Sequence, residues 1–292
     1  MRKTLIGLLV FFVLQAAAWA GPKLSTALLV DKKTNTLYVT KYEGGDLQVV
    51  KTLHVTLGKV VGDKEDEGDL KTPEGIYTFK TKLTPPKLKP KFGAMAYYLN
   101  FPNSYDQLAG RTGSDIMLHA TNEPDRLKKD FDSEGCVVVN NEEIRDLSSQ
   151  IRVGLTPILI FSELSPEYYH PGKDQKLVGF FNSWVQAWEG KEIEKYIDHY
   201  HSDFSAQAMN KSQWKKYKTN LNRQYAEIKV NPEDILYYRH PKYSMITFTQ
   251  NYHSKAKSGK SAFHSRGTKI LYIAEEAGEP KIIAETYTTL MW

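Results

Sequence analysis

The sequence predicts a mainly β domain with short helices, followed by an α+β domain, in a chain of 292 residues. Three observations carry that expectation. From Ser25 to about Ser162 the chain alternates short β-rich runs with turn-forming residues. Its character changes near Ser165-Pro166 and Pro171-Gly172, where proline and glycine break the pattern. Beyond that point helical apolar spacing gives way to a run of β segments, the order expected of helices packed on an antiparallel sheet. The domains are placed at 24–164 and 172–292, with the boundary between Leu164 and Asp174.

Taken in order, the chain opens Met1-Arg2-Lys3, runs apolar from Leu5 to Ala18 and closes on Ala18-Trp19-Ala20. A positive start, a short apolar stretch and a small-x-small ending read as a secretory signal peptide over 1–20. The apolar run is shorter than the roughly 20 residues a spanning helix needs, so cleavage is preferred to a membrane anchor. No integral membrane segment is expected afterwards. Residues 27–30, 36–39 and 47–54 have β-rich, partly alternating composition, with turns at 31–35 and 44–46. A charged loop over 62–68 leads to the turn Lys71-Thr72-Pro73-Glu74-Gly75 and a strand at 76–79. The lysine- and proline-rich piece 80–91 is an exposed loop or lid, a solvated linker being the plainer choice. Short apolar runs at 116–118, 137–139 and 157–160 suit buried strands, and 142–151 suits one amphipathic helix.

In the second part, Leu177, Phe180, Phe181, Trp184, Val185 and Trp188 fall on one side of a helix. Further helices are expected over 192–200 and 212–225. Strands are expected at 228–230, 235–238, 244–252, 261–273 and 281–288. The aromatics Trp184, Trp188, Tyr196, Tyr200, Trp214 and Tyr217 are read first as core and second as the lining of a ligand pocket.

Composition narrows the function. The net charge is a modest +5 with lysines spread along the chain, which suits an anionic partner such as a cell wall and gives no case for nucleic acid. There is one cysteine, Cys136. Exported proteins use cysteines in pairs, so a lone thiol is either buried or reactive. His119 ends one expected strand and Cys136 begins another, 17 positions on. Adjacent strands would bring them together, and a nearby imidazole is the usual means of activating a thiol. Gly135 would let a substrate approach the backbone, and the N–H groups of Gly135 and Cys136 could face a developing oxyanion. Ser133 could orient that loop. His199 and His201 are two apart, a spacing that does not share a helix face. No metal site and no cofactor are expected.

At these residues the sequence resembles the YkuD-type L,D-transpeptidases of bacterial peptidoglycan. The likeness rests on His119 followed by Ser133-Glu134-Gly135-Cys136-Val137, on the Thr72-Pro73-Glu74-Gly75 turn, and on Phe92-Gly93, 99–103 and Gly110-Arg111-Thr112-Gly113. It covers roughly 28–161. The resemblance implies a YkuD-type β-sandwich in which the Cys136 thiolate attacks the bond between the L-centre of diaminopimelate and D-Ala in a tetrapeptide stem. His119 would be the base, oriented by the backbone carbonyl of Ala120. Water as acceptor gives LD-carboxypeptidase action, and an amine gives a 3-3 crosslink or attaches a protein to the wall. Val138 stands where many members carry arginine or asparagine, so substrate binding is assigned to Arg111, Asn100 and Tyr98.

The aromatic placement in the second part is similar to a nuclear-transport-factor-2-like domain, a curled sheet over helices with a conical pocket. That pairing resembles the LD-carboxypeptidases that set helical or curved cell shape, which favours water as acceptor. The resemblance implies a periplasmic, wall-associated enzyme acting on peptidoglycan stem peptides, with a wall or protein ligand for the second domain. A non-catalytic wall-binding scaffold is the competing class. A papain-like protease would need a histidine well after the cysteine, and the later histidines fall in the other domain.

Overall fold

A computed structural model describes residues 26–259 and 262–289. The expected signal peptide at 1–20 lies outside the described residues. The first part holds ten strands: β1 Thr26–Asp31, β2 Thr36–Glu43, β3 Asp46–His54, β4 Leu57–Gly58, β5 Gly75–Leu83, β6 Ala96–Leu99, β7 Met117–His119, β8 Phe131–Ser133, β9 Val137–Val138 and β10 Pro157–Phe161. Two helices join them, α1 Ser104–Leu108 and α2 Asn141–Ser148. Eight strands form one sheet in the order β3-β2-β1-β10-β5-β6-β7-β9. Its last strand returns to the chain beyond β3 through a Thr56–Val138 bridge, with N···O distances of 3.0 and 3.1 Å. The sheet therefore folds over on itself, enclosing Leu28, Val39, Tyr77, Phe79, Leu118, Val137 and Ile160.

The second part is a mainly antiparallel sheet with three helices: α3 Gln175–Glu189, α4 Ile193–Asp198 and α5 Lys211–Gln224. Its strands are β11 Tyr200–Ala206, β12 Met209–Asn210, β13 Tyr225–Lys229, β14 Pro232–Tyr238, β15 Ser244–Ala256, β16 Ala262–Glu276 and β17 Glu279–Thr289. Asp174 caps α3 by accepting from Leu177 N at 3.1 Å. The helix buries Leu177, Phe181, Trp184 and Trp188 against the sheet. A capping box of Asn210 and Gln213 starts α5.

The second helix is shorter than expected. It ends at Asp198, and Tyr200 opens β11 instead. The Tyr200 hydroxyl accepts from Trp184 Nε1 at 3.1 Å and donates to Glu285 at 3.0 Å. That buried link holds the residue in the sheet. Six strands and helices had no counterpart in the sequence reading: β4, β6, β8, β11, β12 and α1.

The two parts share a core. Ala27 and Leu29 on β1, Ile76 on β5, and Leu159 and Phe161 on β10 turn their outer faces to Tyr238, Tyr243, Met245 and Tyr272. This is why 27–30 and 157–160 read as unbroken apolar runs: both faces are covered. Tyr243, in the β14–β15 turn, reaches into the first sheet. Its hydroxyl donates to Ile76 O at 2.8 Å and accepts from Ile76 N and Asn103 Nδ2, each at 2.7 Å. His240 Nε2 lies 2.9 Å from Ile160 O, and Lys242 donates to Glu74 O at 2.9 Å.

Replacing Tyr243 with phenylalanine keeps the ring stacked on Tyr105 but strands the Ile76 N–H and leaves the Asn103 amide only its 3.1 Å bond to Ile76 O. A buried donor left unpaired costs about 1–3 kcal/mol. Urea unfolding of Tyr243→Phe should show a lower midpoint, and an unchanged midpoint would contradict this account of the junction.

Candidate active site

The pairing of β7 with β9 is parallel, with Leu118 beside Val137 and His119 beside Val138. Alternation along the strands sends Leu118 and Val137 into the core. Met117, His119, Cys136 and Val138 are left together on the opposite face. Leu88, Ala96, Met117, Cys136 and Val138 form one small cluster there, with Leu83, Phe92, Tyr98 and Leu127 packed against it.

His119 is fixed on three sides. Its Nδ1 lies 2.6 Å from Ala120 O; a carbonyl can only accept, so Nδ1 carries the proton and Nε2 is the basic nitrogen. The Phe92 ring meets the imidazole edge-on at 4.9 Å. Its backbone carbonyl accepts from Val139 N at 3.0 Å. Ser133 organises the other half: its hydroxyl donates to Cys136 O at 2.6 Å and accepts from Gly135 N at 3.2 Å. The Gly135 N–H, expected to face an oxyanion, is thus engaged by Ser133 at rest. Gly135 has φ +118°, and a Cβ there would sit 2.7 Å from Lys71 O. One close approach that demands glycine comes from the 62–74 loop.

Burial governs the charges. It lowers the imidazole pKa to about 4, with the Ala120 carbonyl opposing. It raises the thiol to about 11, partly offset by a backbone bond from Met117 and by the charge of Arg126. The thiol's own bond goes to Asp115 O at 3.7 Å. The closed site therefore holds a neutral thiol and a neutral imidazole at pH 7.

The 80–91 segment is mostly exposed, as expected, but is anchored at two points. β5 extends through Leu83, and Leu88 is 5% exposed against the Cys136 cluster. Leu83 and Leu88, among exposed lysines and prolines, cover the Cys136 cluster as a lid would. Tyr98 also joins this cluster. Asn100 and Arg111 are not brought to the thiol. Asn100 accepts from Thr78 N at 2.8 Å and donates to Tyr272 OH at 3.3 Å. Arg111 pairs with Asp63 and lies 3.7 Å from Asp106, where Lys242 also pairs with Asp63. Sequence reading passed over Arg126, treating 122–131 only as spacer.

In the second part Trp184, Tyr196, Tyr200, Trp188 and Trp214 are core, and Trp188 and Trp214, with the exposed Tyr217, also line a cavity of about 370 Å³. Lys218 lies in it, 4.3 Å from the Trp188 ring and 4.7 Å from that of Trp214. Burial lowers its pKa to about 7. Among the described residues no group of three or more His, Cys, Asp or Glu is placed to hold a metal ion.

Residues 25–160 match the YkuD family, described as the L,D-transpeptidase catalytic domain. Residues 176–286 match the Cds6 C-terminal NTF2-like domain. The putative L,D-transpeptidase YafK of Escherichia coli K12 is 30% identical over 109 residues, covering 36% of this chain and 36% of that protein. The chain thus spans about a third of that curated relative. The structure of Bd1075 from Bdellovibrio bacteriovorus is 33% identical with TM-score 0.76, covering 91% of this chain and 93% of that one. The helical cell shape determining protein Pgp2 of Campylobacter jejuni shares the fold at 24% identity and TM-score 0.68, covering 90% and 91%.

A neutral thiol makes its alkylation pH-dependent. The rate of iodoacetamide reaction at Cys136 should rise about tenfold per pH unit from 7 to 10, because only the thiolate attacks. Leu88→Ala should speed the reaction by loosening the lid. A rate already flat above pH 6 would instead mean a preformed thiolate.

Proposed function

The chain belongs to the L,D-transpeptidase catalytic-domain family, joined here to an NTF2-like domain, and from that premise we propose that it is an exported LD-carboxypeptidase of peptidoglycan. The carrying observation is the placement of Cys136 and His119 on one sheet face, with the imidazole oriented by Ala120 O. In this reading Cys136 Sγ attacks the carbonyl between diaminopimelate and D-Ala in a tetrapeptide stem. His119 Nε2 takes the thiol proton and delivers it to the departing D-Ala amine. Water then adds to the thioester with His119 as base, releasing tripeptide and restoring the thiol.

Substrate entry must displace the Leu88 lid, and it brings polar groups against a site that at rest is dry. Ser133 holds the 133–136 loop through its bond to Cys136 O, and release of the Gly135 N–H from its hydroxyl would supply an oxyanion donor. The choice of water over an amine rests on architecture, shared with Pgp2, described as a helical cell shape determining protein. A role in cell shape and a periplasmic location are part of the same proposal. The aromatic cavity around Lys218 is the place for the wall or protein ligand expected of the second domain.

The test uses mature protein and Cys136→Ala with disaccharide tetrapeptide, with and without D-Met as competing acceptor, read by mass spectrometry. Tripeptide from the unmutated protein alone is the expected result, with loss of at least about a thousandfold in rate in the variant. D-Met exchange or crosslinked dimers would replace the hydrolase by a transpeptidase. No turnover by either protein would favour a non-catalytic wall scaffold.

A further inference from the structure

The segment between His119 and Cys136 carries a fixed cation to the rim of the thiol site. It forms a 3-10 turn over Pro124–Lys128, and Leu127 of that turn packs against the cluster containing Met117, Cys136 and Val138. Its neighbour Arg126 has a side chain only 20% exposed. Asp132 grips the guanidinium twice: Nε donates to Oδ2 at 3.0 Å and Nη2 to the backbone oxygen at 2.9 Å. Asp132 directly precedes Ser133, whose hydroxyl bonds the Cys136 carbonyl. The cation is therefore anchored to the loop that presents the nucleophile.

Its charge acts on both reacting groups, easing deprotonation of Cys136 and opposing protonation of His119. Other charges nearby do not replace it. Lys91 adds to the positive field at His119 from an exposed position over the Phe92 ring, while Asp115 and Glu134 oppose at Cys136. Arg111 is committed to Asp63 and Asp106 near the junction of the two parts. Asp132 takes two of the five guanidinium N–H donors, and a rigid fork is the group best matched to a carboxylate.

We propose that Arg126 is a specificity-determining residue that binds a carboxylate of the peptide substrate next to the scissile bond. The inference rests on the proposed reading of the site. Two carboxylates flank that bond in a tetrapeptide stem: the D-Ala terminus and the one on the D-centre of diaminopimelate. The pre-anchored fork takes one of them, places the carbonyl above Cys136, and selects against peptides that lack the charge. Because this is a binding contact, its loss should fall on KM more than on kcat.

The experiment compares full-length mature protein, Arg126→Gln and Arg126→Lys on three disaccharide tetrapeptides: the free acid, the D-Ala amide, and the peptide amidated on the diaminopimelate D-centre. The unmutated protein should favour the free acid over one of the amides, which identifies the carboxylate bound. Arg126→Gln should raise KM for the acid about 10- to 100-fold, the range for a hydrogen bond to a charged group, and should abolish the discrimination. Arg126→Lys keeps the charge without the fork and covers the case in which Arg126→Gln fails to fold; it should retain weakened discrimination. Turnover by the unmutated protein with the same KM and the same discrimination in both variants would overturn the role of Arg126 alone. If the unmutated protein turns over none of the three peptides, the reading of the site falls and the proposal with it.

Discussion

The parallel register between β7 and β9 is the constraint on which the candidate site depends. Side chains alternate with period two, so a slip of one residue in either strand would send His119 or Cys136 into the core. The register holds because Leu118 and Val137 must face inward, where both are fully buried. A two-residue strand is a weak anchor by itself. Here β9 is hydrogen-bonded on both sides, to β7 and, through Val138, to Thr56. Parallel neighbours also need a crossover, and the residues between His119 and Cys136 supply it. The loop that satisfies topology is thereby the loop that brings Arg126 and Ser133 to the thiol.

Enclosure and reactivity pull against each other at this site. Desolvation by Leu88, Phe92 and their neighbours keeps Cys136 protonated and His119 uncharged, the arrangement least suited to nucleophilic attack. The same enclosure protects an isolated thiol from oxidation, which follows exposure and thiolate character. On the proposed reading, displacement of Leu88 by an entering substrate reconciles the two demands. In that proposal the thiol would be inert while Leu88 covers it and would meet His119 in a more polar setting once a substrate had entered.

Local patterns made part of this legible and distance concealed the rest. Cys136 and His119 stood out because a lone cysteine, a strand-end histidine and the Ser133-to-Val137 run are local signals. The strands at 27–30 and 157–160 were readable because burial on both faces leaves an unbroken apolar run. Arg111 and Asn100 were read toward the substrate on motif position. Their partners Asp63, Asp106, Thr78 and Tyr272 are set by tertiary packing that no short window contains. Leu88 was hidden by composition, since its lysine and proline neighbours signal solvent while its own side chain does not. Tyr200 continued a helical pattern, and only the Trp184–Tyr200–Glu285 link reveals that it belongs to a strand.

The second domain is more than a tethered module. Cut away from it, the first sheet would expose Ala27, Leu29, Ile76, Leu159 and Phe161 on one face, all of them fully buried here, and apolar surface of that kind drives aggregation or rearrangement. The junction also reaches the reactive loop by direct contact. Lys242 holds the Glu74 carbonyl. Two residues earlier, the Thr72 hydroxyl accepts from Gly58 N at 2.9 Å, and Gly58 pairs with Ser133. One residue before Thr72, the Lys71 carbonyl lies against Gly135, so close that no Cβ fits. Contiguity alone does not establish energetic coupling. It does mean that the conformation of the 133–136 loop and the seating of the β14–β15 turn are parts of one packed unit, so a change at Lys242 or Tyr243 has a short physical route to Cys136.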